Sequence, residues 1–330
     1  MKRLDAGRHS LFRRSRRRFY WLLTRGLILL AGCLPLFLGR ELGRGLVGMA
    51  LGLRPKEVSC ARNNLLIAFP ELDSTCREQL LRQAKRALGA NLFDTMVVPR
   101  LLARPGLVVS EPAGRLTGEI QPSGLLEVLA GLAGMNRGVM ILTGHIGCWE
   151  LLGGWLAREI PAAGLGRLGV VTGTIHNQPV DRLVQDKRRS LGMKVLPRED
   201  GIRPLLDHLG SGSVVAVLLD QNTRVQNLPV SFFGKSAPTA AGFARIILRR
   251  GIPVLPVAIA RAGEGHVVRY LDPILSEPLP ELGSDPEVLE NFLGECNLAL
   301  EKLIRRNPAE WVWFHDRWND RGANSAVAVF

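Results

Sequence analysis

The residues best suited to chemistry form the run Gly144-His145-Ile146-Gly147-Cys148-Trp149-Glu150. The run follows a stretch typical of a buried strand, Val139 to Thr143, and opens a stretch typical of an apolar helix, Trp149 to Arg158. The sequence thus predicts a histidine on a glycine-flanked strand-to-helix turn. Glu150 could then hold one imidazole nitrogen and leave the other to take a proton from a hydroxyl group. This chemistry is acyl transfer to an alcohol without a covalent enzyme intermediate.

The spacing of His145 and Glu150 resembles the His-x4-Asp/Glu signature of the glycerolipid acyltransferase superfamily. With its glycines and Trp149, the run is similar to the form found in the lipid A biosynthesis acyltransferases, the late lauroyl and myristoyl transferases. Three further blocks carry the same resemblance in the same order, between about residues 20 and 320. They are Arg62-Asn63-Leu65 with Phe69-Pro70-Glu71-Leu72, Asp220-Gln221 with Val230-x-Phe232-Phe233-Gly234 and Ala237-x-Thr239, and the aromatic segment from Ile304 to Trp318.

The resemblance implies a fatty acyl chain moving from an acyl carrier protein thioester to a hydroxyl of a lipid A precursor, in lipopolysaccharide biosynthesis. In the expected mechanism, His145 is the general base and Glu150 orients it, while backbone amides at Gly144 and Gly147 stabilise the oxyanion. We expect no cofactor and no metal. The candidate substrate-binding residues are Asp220, Gln221, Phe232, Phe233, Gly234, Lys235, Thr239, Arg182 and Arg189.

The rest of the chain predicts an α/β fold, and the resemblance implies that it is of the glycerolipid acyltransferase type. Short apolar runs bounded by Gly and Pro alternate with helical stretches, as in a mostly parallel sheet flanked by helices. His145 and Asp220 each follow a predicted strand, at the edge where ligands gather in such sheets. Lys235 and a helix capped near Thr239 would form an anion site. The strands are expected at 139–143, 168–172, 214–219 and 253–260, and the helices at 58–69, 74–92, 149–158, 181–191, 202–209, 240–250 and 286–306.

The amino terminus predicts membrane attachment. Eight Lys and Arg residues lie in the arm 1–18, and an apolar segment at 19–40 follows it. Arg25 and Pro35 interrupt that segment, and further basic residues follow it, which favours an interfacial anchor over a full crossing. The expected organisation is therefore a basic arm, a hydrophobic membrane-anchoring helix and a single acyltransferase domain at 41–330. Anionic lipid of the bacterial inner membrane, on its cytoplasmic face, is the expected partner of the arm.

Composition bears on the kind of partner and on the functions that stay open. The 330 residues are 46% hydrophobic with a formal net charge of +13, and the basic arm adjoins an apolar segment, which favours lipid over nucleic acid. Five scattered cysteines suggest reduced thiols, and Cys148 is expected to be structural. Three other functions stay open. They are acyl transfer to a phosphatidylinositol mannoside or lysophospholipid, use of an acyl-coenzyme A donor, and, more remotely, a membrane-bound glycosyltransferase, which usually has an Asp-x-Asp motif.

One departure from the family concerns the acceptor. After the third strand the family usually has an Arg-Pro pair, whereas this chain has Gly173 to Pro179. The missing cation would be replaced by His176 or by nearby Arg182, Arg188 or Arg189. Among the other histidines, His208 and His266 are expected at the surface and His315 as a structural hydrogen-bonding residue among tryptophans.

Overall fold

The computed structural model describes residues 21–112, 124–134, 137–175, 177–210, 212–222, 227–275, 277–281, 283 and 285–318. The basic arm at 1–18 and His176 lie outside the described residues. The described chain alternates helices and strands along most of its length.

A seven-stranded sheet forms the centre of the fold, in the order β1-β9-β8-β2-β5-β3-β4. All neighbours run parallel except β8 and β9, which form an antiparallel hairpin. This confirms the expected α/β class and mostly parallel sheet. The strands are β1 (Val108–Pro112), β2 (Val139–Thr143), β3 (Leu168–Thr172), β4 (Lys194–Pro197), β5 (Val214–Leu218), β8 (Val254–Ala262) and β9 (Gly265–Tyr270).

Helices cover both faces of the sheet. Alternate residues of the central strands point to opposite faces and are apolar on both, so each face needs a covering layer. Met140 and Leu142 of β2 enter one core and Val139 and Ile141 enter the other. The helices after the amino-terminal segment are α3 (Pro55–Ala68), α4 (Ser74–Met96), α5 (Val98–Leu102), α6 (Leu125–Ala133), α7 (Trp149–Ala162), α8 (Gln178–Ser190), α9 (Arg203–Gly210), α10 (Gly242–Arg250) and α11 (Pro286–Arg306).

The predicted anchor segment is divided into two helices. Residues 21–33 are helical, here α1, and after a break at Pro35 the chain continues as α2 (Leu36–Gly52). Proline fixes its own φ and disfavours the helical conformation of the residue before it, which accounts for the break. Among the described helices, none has the length and apolarity that a bilayer crossing needs.

A two-stranded hairpin occupies the region where the sequence predicts a helix cap. Strands β6 (Asn227–Phe232) and β7 (Lys235–Ala240) pair antiparallel around a turn at Phe233 and Gly234, both with positive φ. Thr239 therefore lies in a strand and is fully buried, and α10 begins only at Gly242. The predicted helix cap at Thr239 is wrong, because hairpin pairing holds this backbone extended.

Candidate active site

The turn that carries His145 depends on its two glycines. A Cβ on Gly144 would lie 2.9 Å from Cγ of Asp220, so only glycine lets that carboxylate approach the backbone. Gly147 has φ +63°, and a Cβ there would lie 2.1 Å from the carbonyl oxygen of Ile259. Glycine adopts positive φ without steric cost. The sequence thus permits a tight turn between the end of β2 at Thr143 and the start of α7 at Trp149.

Asp220 is the hydrogen-bond partner of the His145 ring. Strands β2 and β5 are neighbours with Thr143 opposite Leu218, so the residues that follow each strand meet at the carboxyl edge of the sheet. Nδ1 of His145 lies 2.9 Å from Oδ1 of Asp220, and the His145 backbone N–H donates to Oδ2 at 2.7 Å. The geometry fixes both the ring and its backbone. Among the described residues, Nε2 of His145 has no hydrogen-bond partner, and the side chain is 21% exposed.

The Asp220 carboxylate is fully buried and ionised. Burial alone would raise its pKa, but the charge and hydrogen bond of His145, the charge of His315 and the indole of Trp311 hold the pKa well below its usual range. Nε1–H of Trp311 donates to Oδ2 at 2.7 Å. Oδ2 thus accepts from the His145 backbone N–H and the Trp311 indole N–H, neither of which can act as an acceptor. Oδ1 faces the imidazole.

Glu150 pairs with a different residue from the one expected. Its carboxylate oxygens lie 3.2 and 3.1 Å from Nε of Arg188, whose Nη2 also contacts Oε1. Arg188 belongs to α8, and Glu150 points toward that helix from the first turn of α7. The role of holding the imidazole that the sequence predicts for Glu150 is filled in this geometry by Asp220, since the order of the strands places Asp220 beside the ring.

One of the two amides expected to stabilise an oxyanion, that of Gly147, already has a partner in the protein. The N–H of Gly147 donates to the carbonyl of Glu310 at 2.9 Å, so this donor is already engaged. The carbonyl of His145 accepts from the N–H of Val312 at 3.1 Å, and Ile146 forms an isolated bridge with Trp311. The terminal aromatic segment is therefore bonded to the turn that carries His145.

Most candidate substrate residues of the second block are structural in their contacts. Phe232 is fully buried and Phe233 is 7% exposed, and both rings pack against Trp318. The hydroxyl of Thr239 donates to Ala237 and accepts from Arg317 at 2.9 Å. Gly234 supplies the hairpin turn, Lys235 is exposed, and Gln221 is partly exposed beside Asp220.

The basic candidates on α8 have separate surroundings. Arg182 is exposed and lines a groove with Trp21 and Arg25. Arg189 is exposed and bonded through Nη1 to Asp186 at 2.9 Å. The structure does not bring either one into contact with His145. Cys148 is buried, which raises its pKa to about 12, so its thiol is protonated at neutral pH, in keeping with a structural role.

Two other histidines are buried, and His315 is partly buried. His315 contacts the carbonyls of Val312 and Asp220 at 2.6 and 3.2 Å, the structural role expected for it. The surface positions expected for His208 and His266 are wrong, because each residue is 5% exposed or less and its ring is hydrogen-bonded within the protein. His208 lies 2.9 Å from the Arg167 carbonyl, and His266 lies 3.1 Å from Oδ2 of Asp94.

A buried ionic cluster beneath the turn was not evident from the sequence. Asp94 of α4 is fully buried and pairs with Arg40 at 2.9 Å and Arg261 at 2.7 Å. Arg261 also donates to Asn91 at 2.8 Å, and Asn91 donates to the Glu310 carboxylate at 2.6 Å. Burial opposes ionisation of Asp94, but its bonds to His266, Arg261 and Arg40 hold its pKa at about 2. The cluster connects α2 and α4 to the segment that holds Gly147.

Comparisons with known proteins agree with the resemblance. The family model described as bacterial lipid A biosynthesis acyltransferase matches residues 6–320. The chain is 25% identical over 287 residues to a lipid A biosynthesis palmitoleoyltransferase of Escherichia coli K12, covering 86% of this chain and 85% of that protein. It is 24% identical to the lauroyltransferase of the same organism, covering 92% of each. A phosphatidylinositol mannoside acyltransferase of Mycolicibacterium smegmatis is 24% identical over 187 residues, covering 56% of this chain and 57% of that protein. On the match over nearly its whole length, the chain belongs to the bacterial lipid A biosynthesis acyltransferase family.

Proposed function

We propose that this acyltransferase moves a fatty acyl chain from an acyl carrier protein thioester to a hydroxyl of a lipid A precursor. The observation that carries the mechanism is the pairing of His145 Nδ1 with buried, ionised Asp220, which leaves Nε2 without a described partner. A carboxylate at Nδ1 keeps the proton there in the neutral ring, so Nε2 is the basic nitrogen. Family membership supplies the reaction class.

The reaction proceeds by direct attack. Nε2 of His145 takes the proton of the acceptor hydroxyl as its oxygen forms a bond to the thioester carbonyl carbon. Asp220 stabilises the imidazolium that results, and the Gly144 amide is the proposed donor to the oxyanion. The tetrahedral intermediate then collapses, the carbon–sulfur bond breaks, and the imidazolium returns its proton to the thiolate. The products are an ester on the acceptor and the free thiol of the carrier.

Glu150 has a positioning role in this proposal. Its carboxylate is 14% exposed and paired with Arg188, which is 20% exposed. This charge-assisted, multiply bonded pair fixes the first turn of α7 to α8. The turn that carries His145 is thereby held from its helical side, while Asp220 and Trp311 hold it from the side of the sheet.

The test is transfer of radiolabelled acyl chain to a tetraacylated lipid A precursor. Purified wild type is compared with His145→Ala and His145→Gln, each checked for folding by thermal unfolding. We expect transfer from acyl carrier protein by wild type and a loss of about 10²–10⁴-fold in both variants. Parallel reactions with acyl-coenzyme A identify the donor. No transfer by folded wild type to this acceptor would refute the lipid A assignment, and activity that survives both substitutions would refute the role of His145.

We further propose that the protein works at the inner membrane surface, with its amino-terminal helices at the interface. Large apolar side chains of α1 and α2 are exposed, among them Leu29 at 66%, Phe37 at 59% and Met49 at 64%. An exposed apolar surface of this extent is typical of a membrane or protein contact. The basic residues at 1–18 would add attraction to anionic lipid of about 1 kcal/mol each. Flotation with vesicles containing phosphatidylglycerol, compared with neutral vesicles, tests this attachment.

A second acceptor is supported by one comparison. Three phosphatidylinositol mannoside acyltransferases match between 56% and 59% of this chain. The same His145 chemistry would serve a mannoside hydroxyl. Adding a phosphatidylinositol mannoside to the transfer assay separates the two acceptors, because a higher kcat/KM for the mannoside would replace the lipid A assignment without changing the base.

A further inference from the structure

A groove between α1 and α8 lies outside the site described so far. Its volume is about 400 Å³. The residues that line it are Trp21, Arg25, Pro179, Arg182, Leu183 and Asp186. Three of these residues are apolar, and the other three are two arginines and one aspartate.

The charges of the groove favour an anionic ligand. Among the described residues, neither Arg25 nor Arg182 has a carboxylate partner, and the described contact of the Arg25 guanidinium is with the Trp21 ring, whose centroid is 5.3 Å away. Asp186, in contrast, accepts a hydrogen bond from Arg189. Two cations without counter-ions beside apolar walls are suited to an amphiphile with a phosphate on its polar head.

The position of the groove connects the apolar surface to the active site. On α1, Leu22, Leu27 and Leu30 are 61%, 41% and 56% exposed, so acyl chains have an apolar surface beside the groove. Helix α8 begins soon after β3 ends, at the same edge of the sheet as the end of β2. Its Arg188 pairs with Glu150, in the first turn of the helix that follows His145.

We propose that this groove binds the phosphorylated sugar head of the acceptor glycolipid, with phosphate oxygens on Arg25 and Arg182. The proposal rests on the proposed function, because it takes a lipid A precursor as the acceptor. The acyl chains lie along the exposed leucines of α1. The groove thereby selects a phosphorylated acceptor at the membrane surface and presents it along α8 to His145.

The test compares wild type with the double variant Arg25→Gln, Arg182→Gln. Arg82→Gln removes the charge of an exposed arginine on α4 that does not line the groove, and it is the charge control. Acyl transfer is measured with the bisphosphorylated precursor and with the same lipid after removal of its phosphates. Equilibrium binding of both lipids in neutral detergent micelles is measured without acyl donor.

We expect the double variant to raise KM for the phosphorylated lipid about tenfold with kcat unchanged, since charged hydrogen bonds are lost. KM for the dephosphorylated lipid should be the same in wild type and both variants. If the double variant transfers acyl chains with the wild-type KM for the phosphorylated lipid, the proposal that the groove binds the acceptor head is refuted. The proposed function is then unaffected. Competition by phosphatidylglycerol equal to that of the precursor would also overturn it. If the phosphorylated lipid binds in a way that depends on Arg25 and Arg182 but no acyl chain is transferred, the groove proposal is supported and the proposed function is refuted.

Discussion

The substitution Asp220→Asn should reverse the tautomer of His145. Oδ2 accepts from the backbone N–H of His145 and the indole N–H of Trp311, both at 2.7 Å. Neither donor can become an acceptor, so the amide oxygen of Asn must occupy the Oδ2 position. The NH₂ group then faces Nδ1 of His145, where Oδ1 now lies at 2.9 Å. An NH₂ group only donates, and Nδ1 must therefore lose its proton and accept.

The expected cost follows from this exchange. With Nδ1 as acceptor, the ring proton moves to Nε2, which then cannot take a proton from the acceptor hydroxyl. The imidazolium also loses its stabilising charge. An equivalent change in a serine protease triad lowers kcat about 10⁴-fold, and we expect kcat of Asp220→Asn to fall by about 10³–10⁴-fold with KM little changed.

Initial rates with saturating donor and acceptor measure this effect, and urea unfolding verifies that the variant is folded. The double variant His145→Ala, Asp220→Asn should be no slower than His145→Ala alone, because the two residues act as a unit. A folded Asp220→Asn protein that retained a tenth of the wild-type kcat would refute the tautomer argument. Additive losses in the double variant would show that Asp220 acts independently of His145.

Three further perturbations have defined outcomes. Gly144→Ala places a methyl 2.9 Å from Cγ of Asp220, and we expect kcat to fall at least about tenfold. A kcat equal to that of wild type would refute the close approach of the Asp220 carboxylate to the Gly144 backbone. The pKa of Asp94 is held at about 2, below its ordinary 3.8, so its contribution of about 2 kcal/mol is present above pH 4 and lost as the pH falls toward 2. Urea unfolding of Asp94→Asn should lack this acid dependence and show a loss of about 3 kcal/mol at pH 7, since Arg261 loses its carboxylate partner and buried Arg40 keeps only the exposed Glu264, whereas unchanged stability would contradict the ion-pair assignment. Leu27→Glu should weaken flotation with phosphatidylglycerol vesicles without lowering kcat in detergent micelles, and undiminished flotation would place the membrane contact elsewhere.

The sequence predicts strands well where both faces of the strand are buried. It predicts them poorly where only hydrogen bonding to a neighbouring strand makes the segment extended. The runs 139–143 and 168–172 are observed with the predicted bounds, because strands buried on both faces appear as continuous apolar stretches. Strand β4 is short, and β7 contains Pro238 and Thr239 and follows the turn at Phe233 and Gly234. Their strand conformation depends on the strands with which they pair, and no local apolar pattern predicts it.

The same limit explains the partner of His145. Glu150 is near in sequence, and local spacing alone favours it. Asp220 is near only because β5 pairs with β2, and the order of strands in a sheet is a tertiary property. A usable signal was nevertheless present, since an aspartate directly after a buried strand at the ligand-binding edge needs a partner. His266 and Asp94 lie far apart in the sequence, and neither has an informative neighbour.

The bonds between the His145 turn and the segment around Trp311 have a consequence for how the protein is made. The helices that carry the apolar surface are synthesised first, whereas the indole that fixes Asp220 and the carbonyl that holds Gly147 are among the last described residues to be synthesised. In the function proposed above, a nascent chain reaches the membrane before the partners of His145 are in place, and the acyl donor meets a complete site only on a chain translated through Trp311.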